Sequence, residues 1–130
     1  MLLCANWDLV AETVAHDIVF KKKSETITTA NTWQVYSSLA VTLPVGKTID
    51  ITAAAEWSHN SPASEIAIIK GTTVTGTEII ATNTTPSGGQ LSLCAHGMYY
   101  NGTNTDATIN VAVKYPATEN NQVSIAYRIF

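Results

Sequence analysis

The segment SLAVTLPVGKTIDITAAAEW, residues 38–57, alternates apolar and small polar residues on both sides of a Pro-Val-Gly break. A period of two predicts β-strands that each have one buried side and one polar side. Pro44 fixes its own φ and Gly46 can adopt a positive φ, so we interpret the break as a chain reversal between two strands. The apolar residues that share the buried sides are Leu39, Val41, Leu43, Ile49, Ile51, Ala53, Ala55 and Trp57.

The same alternation continues to the end of the chain in SEIAIIKG, TEIIAT, GQLSLCAHGMYY, ATINVAVKY and QVSIAYRIF, which are separated by segments rich in Gly, Pro, Asn and Ser. About eight short strands with no long helical segment after residue 30 predict an all-β, antiparallel sandwich. The last strand is so apolar that we expect neighbours on both of its edges. The residues predicted to be buried are Leu39, Val41, Ile49, Ile51, Leu91, Leu93, Ile109, Val111, Ile125 and Ile129.

The 130 residues fit one domain, with an N-terminal strand or arm over residues 1–31 and the sandwich over residues 32–130. The arm is a candidate attachment segment. Its sequence TVAHDIVF alternates like a strand, which we favour, although an apolar stripe beginning at Trp7 also fits a helix capped by Asn6. The three lysines at 21–23 are interpreted as a solvated turn, with contact to an anionic partner as the alternative.

Charged residues make up only 13% of the chain, about half of the usual share, and the formal net charge is -3. Basic residues are scattered outside residues 21–23, so no nucleic-acid partner is expected. Because subunit interfaces are depleted of charge, the composition favours a homo-oligomer. No apolar run is long enough for membrane insertion, and the opening MLLCANWDLV is a poor signal peptide, so we expect the protein to fold in the cytoplasm where it is made.

The residues that most often carry chemistry are sparse. Cys4 and Cys94 lack zinc-site spacing and are interpreted as free thiols. The three histidines are His16, His59 and His96, and they form no metal-binding motif. Cys94 and His96 are neighbours on one strand face, without a third group to orient a base. The sequence therefore predicts no metal, no cofactor and no catalytic residue, and we do not expect an enzyme.

Two segments are candidate ligand-binding sites. The first is MYYNGTNTD, residues 98–106, in which one of two adjacent tyrosines must face away from the core and several amide or carboxylate groups follow. Aromatic rings and planar amides suit a sugar, whereas the alternative is a subunit contact with the polar residues serving the turn. The second is EWSHNSP, with a polar turn behind a core tryptophan as the alternative. The candidate residues are Tyr99, Tyr100, Asn101, Asn104, Asp106, His59 and Asn60.

The pattern TW-x-VY-x-SL-x-V-x-L-P-x-G-x-x-I-x-I-x-A, the short strands separated by glycines and the Ile-rich last strand resemble the jelly-roll heads of phage fibre and tail proteins. These heads are similar to the trimeric heads of the tumour necrosis factor and complement globular-head superfamily. Over residues 32–130 the resemblance implies a jelly-roll β-sandwich, a homotrimer, and a virion structural or host-attachment role with other virion proteins or a cell-surface glycan as partners. A capsid-decoration unit is a further form of that role.

Three classes of function follow from these observations. A non-enzymatic virion subunit is favoured, a carbohydrate-binding lectin-like module is the alternative, and an enzyme on the same scaffold lacks clustered metal ligands. In the favoured class, each subunit of a closed trimer packs one flank on the next, and aromatic residues are expected at the contact. The candidate contact residues are Tyr36, Tyr99, Tyr115 and Tyr127.

Overall fold

The computed structural model describes residues 18–61, 64–84, 90–116 and 118–130, and it describes only the backbone at 58–61, 90, 91 and 119. The predicted strand or helix before residue 18, with Cys4 and His16, lies outside the described residues, and so does the side chain of Leu91. Within the described residues, the first strand starts at Val19.

The described residues form nine strands and one short 3-10 turn, Ser37–Leu39. The strands are β1 Val19–Ile27, β2 Trp33–Val35, β3 Val41–Leu43, β4 Thr48–Ser61, β5 Glu65–Lys70, β6 Ile79–Thr84, β7 Gln90–Tyr100, β8 Ala107–Lys114 and β9 Glu119–Ile129. One sheet has the order β1-β9-β4-β7, and the other has the order β2-β8-β5-β6 with β3 also paired to β8. All of these strand pairs are antiparallel.

The strand order is that of a jelly roll. Strands β2 and β3 pair with successive parts of β8, on either side of the 3-10 turn, and together they form one interrupted strand. Counted in this way, the first strand pairs with the last, the second with the next to last, and the third with the third from last, while the middle two pair with each other. This is a long hairpin rolled into two facing sheets, and it confirms the predicted jelly-roll β-sandwich.

The segment at residues 38–57 is not a hairpin, which corrects the predicted pairing of its two strands. Strand β3 pairs with β8, whereas β4 pairs with β7 and β9 in the opposite sheet. The chain crosses from one sheet to the other around Gly46, whose φ is 77°. Both strands bury their apolar side in the same core, so the alternation predicted the buried residues correctly without determining the strand partners.

The three lysines at 21–23 lie inside β1 and not in a turn, which corrects that interpretation. They pair with residues 123–125 of β9. The Lys21 ammonium lies over the Tyr127 ring, 5.7 Å from its centre. Because β1 is an edge strand, charged lysines along it disfavour pairing with a further strand of another chain.

The last strand, β9, has β1 on one edge and β4 on the other, as its apolar sequence predicts. Of the ten residues predicted to be buried, eight are at most 6% exposed. Ile129 is only partly buried and packs against the edge of the core. At one end of the core the rings of Trp57 and Tyr115 lie 5.2 Å apart.

We expect Ile51→Ala to lower the free energy of unfolding by about 2 to 5 kcal/mol, since it removes a buried side chain and leaves a cavity. Ile51 is 1% exposed. Its neighbour Thr52 is exposed on the opposite side of β4, so Thr52→Ala is the matched control, with an expected change within about 0.5 kcal/mol. Urea denaturation measures both, and equal effects would contradict the assignment of the β4 faces.

Candidate functional site

The loop that follows β7 is organised by Asn101, which is fully buried. Its side-chain amide donates hydrogen bonds to the carbonyl oxygens of Leu43, at 3.0 Å, and Thr105, at 2.9 Å. Its side-chain oxygen accepts a hydrogen bond of 2.7 Å from the Thr103 hydroxyl. The amide thus closes the loop and ties it to the end of β3, and its polar atoms face the chain itself.

The two tyrosines before this loop face opposite sides of the sheet, as their adjacency predicts. Tyr99 packs against the core, with the Lys70 ammonium 4.9 Å from its ring centre. Tyr100 is 60% exposed on the outer side. Asn104 and Asp106 are also exposed, and one Asp106 carboxylate oxygen accepts a hydrogen bond from the backbone of Val45. The groups of the first candidate site that face solvent are therefore Tyr100, Asn104 and Asp106.

The described part of the second candidate segment, residues 56–61 with His59 and Asn60, lies in a strand and not in a turn or loop. Strand β4 runs to Ser61, where it pairs with Gln90 after an irregularity in register. The side chains of His59 and Asn60 lie outside the described part of the structure. Their role as ligand-binding residues stays a prediction.

Two of the four tyrosines expected at a subunit contact belong to the core, which corrects that expectation. Tyr36 is fully buried, and Tyr115 is 2% exposed. Burial, with a smaller contribution from the nearby carboxylate of Glu25, raises the pKa of the Tyr36 hydroxyl above its usual value. Of these four tyrosines, Tyr99 and Tyr127 are the two that retain surface that another molecule could contact.

The most distinctive surface is the outer side of the sheet β1-β9-β4-β7, which we call the outer face. It consists of the alternate residues that point away from the core, most of which are Ser, Thr, Ala, Asn or Gln. Four of its side chains carry a full charge, and small residues occupy its centre. The residues are Phe20, Lys22, Ser24, Thr26, Thr48, Asp50, Thr52, Ala54, Glu56, Ser92, Cys94, His96, Met98, Tyr100, Asn120, Gln122, Ser124, Ala126 and Arg128.

Large apolar side chains cluster at one end of the outer face. Of the seven large hydrophobic residues that are exposed in the described structure, five lie at this end. They are Ile18 (55% exposed), Phe20 (66%), Met98 (55%), Tyr100 (60%) and Phe130 (51%). Ile18 and Phe130 directly precede β1 and follow β9, and they continue the outward side of these strands. Single apolar residues are normal on a protein surface, but five large ones at one end of one sheet face indicate an interaction surface.

A depression of about 250 Å³ lies within this apolar end, and a histidine and a carboxylate meet there. The His96 Nε2 atom is 2.5 Å from an Asp50 carboxylate oxygen. Arg128 also lines the depression, and its guanidinium carbon lies 4.7 Å from the centre of the Phe130 ring. Sequence reasoning missed this group because Asp50 and His96 come from different strands, and only the pairing of β4 with β7 brings them together.

The opposite end of the outer face is rich in amides and hydroxyls. Ser24, Glu56, Asn120 and Gln122 line an open depression of about 380 Å³ there. The Thr26 hydroxyl donates a 2.8 Å hydrogen bond to the side-chain oxygen of Asn120. The outer face thus has an apolar end and a polar end, and small residues lie between them.

These features define a jelly-roll domain whose outer sheet face carries few charges. The described residues contain no cluster of three or more His, Cys, Asp or Glu side chains that could hold a metal ion. The same part of the chain contains no helix with the length and apolar character needed to span a bilayer.

No protein-family profile matches the chain, and no curated protein sequence is similar to it. Among solved structures it is similar to a subunit of the disulfide-linked pili of Bacillus endospore appendages, with 18% identity, 85% of this chain and 86% of that chain covered, and a TM-score of 0.48. The capsid of cyanophage Pam1 gives 17% identity, coverages of 86% and 84%, and a TM-score of 0.47. A carbohydrate-binding module of Cellvibrio mixtus lichenase 5A gives 16% identity, with 82% of this chain and 86% of that chain covered, and a TM-score of 0.41.

We expect Asn101→Ala to lower the free energy of unfolding by about 1 to 3 kcal/mol, because the buried hydrogen bond to the Leu43 carbonyl is lost together with the one to the Thr105 carbonyl, which keeps only the Thr103 hydroxyl as a side-chain donor. Asn104→Ala in the same loop is the matched control, since Asn104 is exposed, and a change within about 0.5 kcal/mol is expected. Thermal and urea unfolding of the two variants make the comparison. A destabilisation by Asn104→Ala as large as that by Asn101→Ala would overturn this description of the loop.

Proposed function

We propose that this protein is a non-enzymatic structural subunit that associates with copies of itself. The observation that carries the proposal is the outer face, where five large apolar side chains are more than half exposed at one end of a sheet with few charges. A domain that works alone keeps its surface charged and free of apolar patches, because both features oppose association. This sheet face has the opposite composition.

The rigidity of the scaffold suits such a role. Two sheets packed over one core hold the backbone of the outer face in place, and β9 is fixed between two neighbours. Residues on such a face are held by the backbone ladder, so little conformational entropy is lost when a second surface covers them. A flexible loop would lose more.

In its more specific form, the proposal is a virion subunit of phage fibre, tail or capsid-decoration type, with host attachment as one use of its exposed end. The support is the resemblance to phage fibre heads and to the tumour necrosis factor and complement globular heads, together with the low charge. A closed homotrimer is the assembly that this resemblance implies. Partly exposed Tyr99 and Tyr127 remain the aromatic candidates for its contact.

We expect light scattering at micromolar concentration to give a mass above the 13.9 kDa of one chain, and about three times that value for the trimer. The mass should persist in moderate salt, because apolar contact is insensitive to the screening that weakens ion pairs between exposed charges. A single chain at all concentrations would contradict the self-association on which the proposal depends.

Binding of a carbohydrate is the second candidate function. Tyr100 presents an exposed aromatic ring, and the loop that follows it presents the exposed amide of Asn104 and carboxylate of Asp106. These are groups that can stack on and hydrogen-bond to a sugar. The amide-rich end of the outer face offers a second set of similar groups.

A glycan array with the wild-type protein and the variant Tyr100→Ala tests the carbohydrate function. Any glycan signal that depends on the ring should be lost in this variant and kept in Thr108→Ala, which changes an exposed residue of the other sheet. An absence of signal from every glycan, or a signal that Tyr100→Ala leaves unchanged, would contradict a sugar site at Tyr100.

A further inference from the structure

The outer face is built of rows, because the strand registers place particular residues side by side across the sheet. Asp50 of β4 lies beside Arg128 of β9 on one side and Met98 of β7 on the other. Ile18, one residue before β1, completes this row next to Arg128. The next row contains Phe20, Ala126, Thr52 and His96 in the order of the strands. Each row therefore has a β1 and β9 half and a β4 and β7 half.

We propose that the outer face binds the outer face of a second copy of this chain, about a two-fold axis that runs along the strands between β9 and β4. In such a rotation each row faces the same row of the second copy, with its strand order reversed. Strand β9 then lies opposite the partner's β4, and β1 lies opposite the partner's β7. The contact is isologous, so every pair of residues occurs twice. This inference rests on the proposed function only in that copies of the chain associate.

Two of the four charged side chains of the outer face complement each other in this arrangement, while Lys22 and Glu56 lie opposite the uncharged Cys94 and Gln122 of the second copy. Arg128 faces the partner's Asp50, and Asp50 faces the partner's Arg128. Within the described residues, Arg128 makes no ion pair, and its guanidinium lies over the ring of Phe130. Asp50 contacts His96 through one carboxylate oxygen, which leaves the other for the partner's guanidinium. Opposite charges that meet in this way set the register of an interface.

The apolar residues also match. Ile18 lies opposite the partner's Met98, and Phe20 lies opposite the partner's His96, so three of the five exposed apolar side chains are covered in both copies. The rows at the centre contain Ala54, Ala126, Ser124 and Thr52. Side chains of this size let two sheets approach to the separation of about 10 Å that is usual for sheet packing.

The area of the face is sufficient for a specific contact. Four strands at a spacing of about 4.8 Å, with about five outward residues each, cover roughly 500 to 600 Å². Two such faces bury roughly 1,100 Å² in total, which is just above the lower limit of about 1,000 Å² for a biological interface and below the standard size of about 1,600 Å². A two-fold axis that crosses the strands at the level of Ala53, the middle of the face, would instead place Asp50 opposite the partner's Glu56, so that like charges would meet. The axis along the strands is the arrangement that the charges favour.

Charge reversal tests the pairing of position 128 with the partner's position 50. Arg128→Glu and Asp50→Lys should each weaken self-association by at least about tenfold, because like charges then meet twice across the axis. An equimolar mixture of the two variants should recover association, since both contacts between unlike copies are then attractive. Sedimentation velocity over a dilution series measures the mass. We expect twice 13.9 kDa for this contact alone and six times 13.9 kDa if the contact joins two trimers.

The controls distinguish this contact from a general loss of stability and from association through a different surface. Thr108→Lys places a charge on the exposed side of the other sheet and should leave association unchanged. Thermal melting of each variant shows whether it is folded, and Phe20→Ser provides a second change at the same face, with the same direction of effect. If the wild type associates but these outer-face variants do not weaken it, or if the mixture does not recover, the two-fold contact is wrong while self-association stands. A wild type that stays monomeric overturns both.

Discussion

The structure depends on one constraint, which is that two twisted sheets must bury one side each in a single shared core. Ile51 and Ile125 from the centre of one sheet meet Ile68 and Val111 from the centre of the other, and all four are at most 1% exposed. Once these positions are buried, the period of two in each strand decides which residues point outward. The outer face of the sheet β1-β9-β4-β7 is thus a consequence of the core, because its residues are those that alternate with the buried ones.

This constraint also explains how much of the fold could be predicted from the sequence. Alternation reports burial, so residues such as Val41 and Ile49 were assigned correctly to buried sides, and the apolar sequence of β9 correctly predicted two neighbours. Alternation does not report which strand lies beside which. Val41 and Ile49 are close in the chain and face the same core, yet they belong to opposite sheets. The lysines of β1 were misassigned for a related reason, since a charged run fits an exposed edge strand as well as a turn.

The candidate sites were less predictable, because the decisive contacts join residues that are distant in the sequence. Asn101 is of a residue type that is common in sugar-binding loops, but its amide donates a hydrogen bond to the backbone carbonyl of Leu43, 58 residues away in the sequence. Nothing local distinguishes an amide that faces a ligand from one that closes its own loop. The pair of Asp50 and His96 is a similar case. The alternation within each strand places both on a polar side, and only the register of β4 with β7 brings their side chains into contact.

The two ends of the outer face suit different kinds of contact, and this difference bears on how one small domain can take part in an assembly. At the apolar end, covering exposed side chains such as Phe20 and Met98 with any apolar surface lowers the free energy. Arg128 and Asp50 restrict which surface fits. At the amide-rich end, Asn120 and Gln122 lose their hydrogen bonds to water on contact. Contact there is favourable only where the partner supplies a hydrogen bond in place of each one lost. The apolar end therefore supplies affinity, and the polar groups supply selectivity. A face with both properties on one rigid sheet favours a defined contact over indiscriminate aggregation.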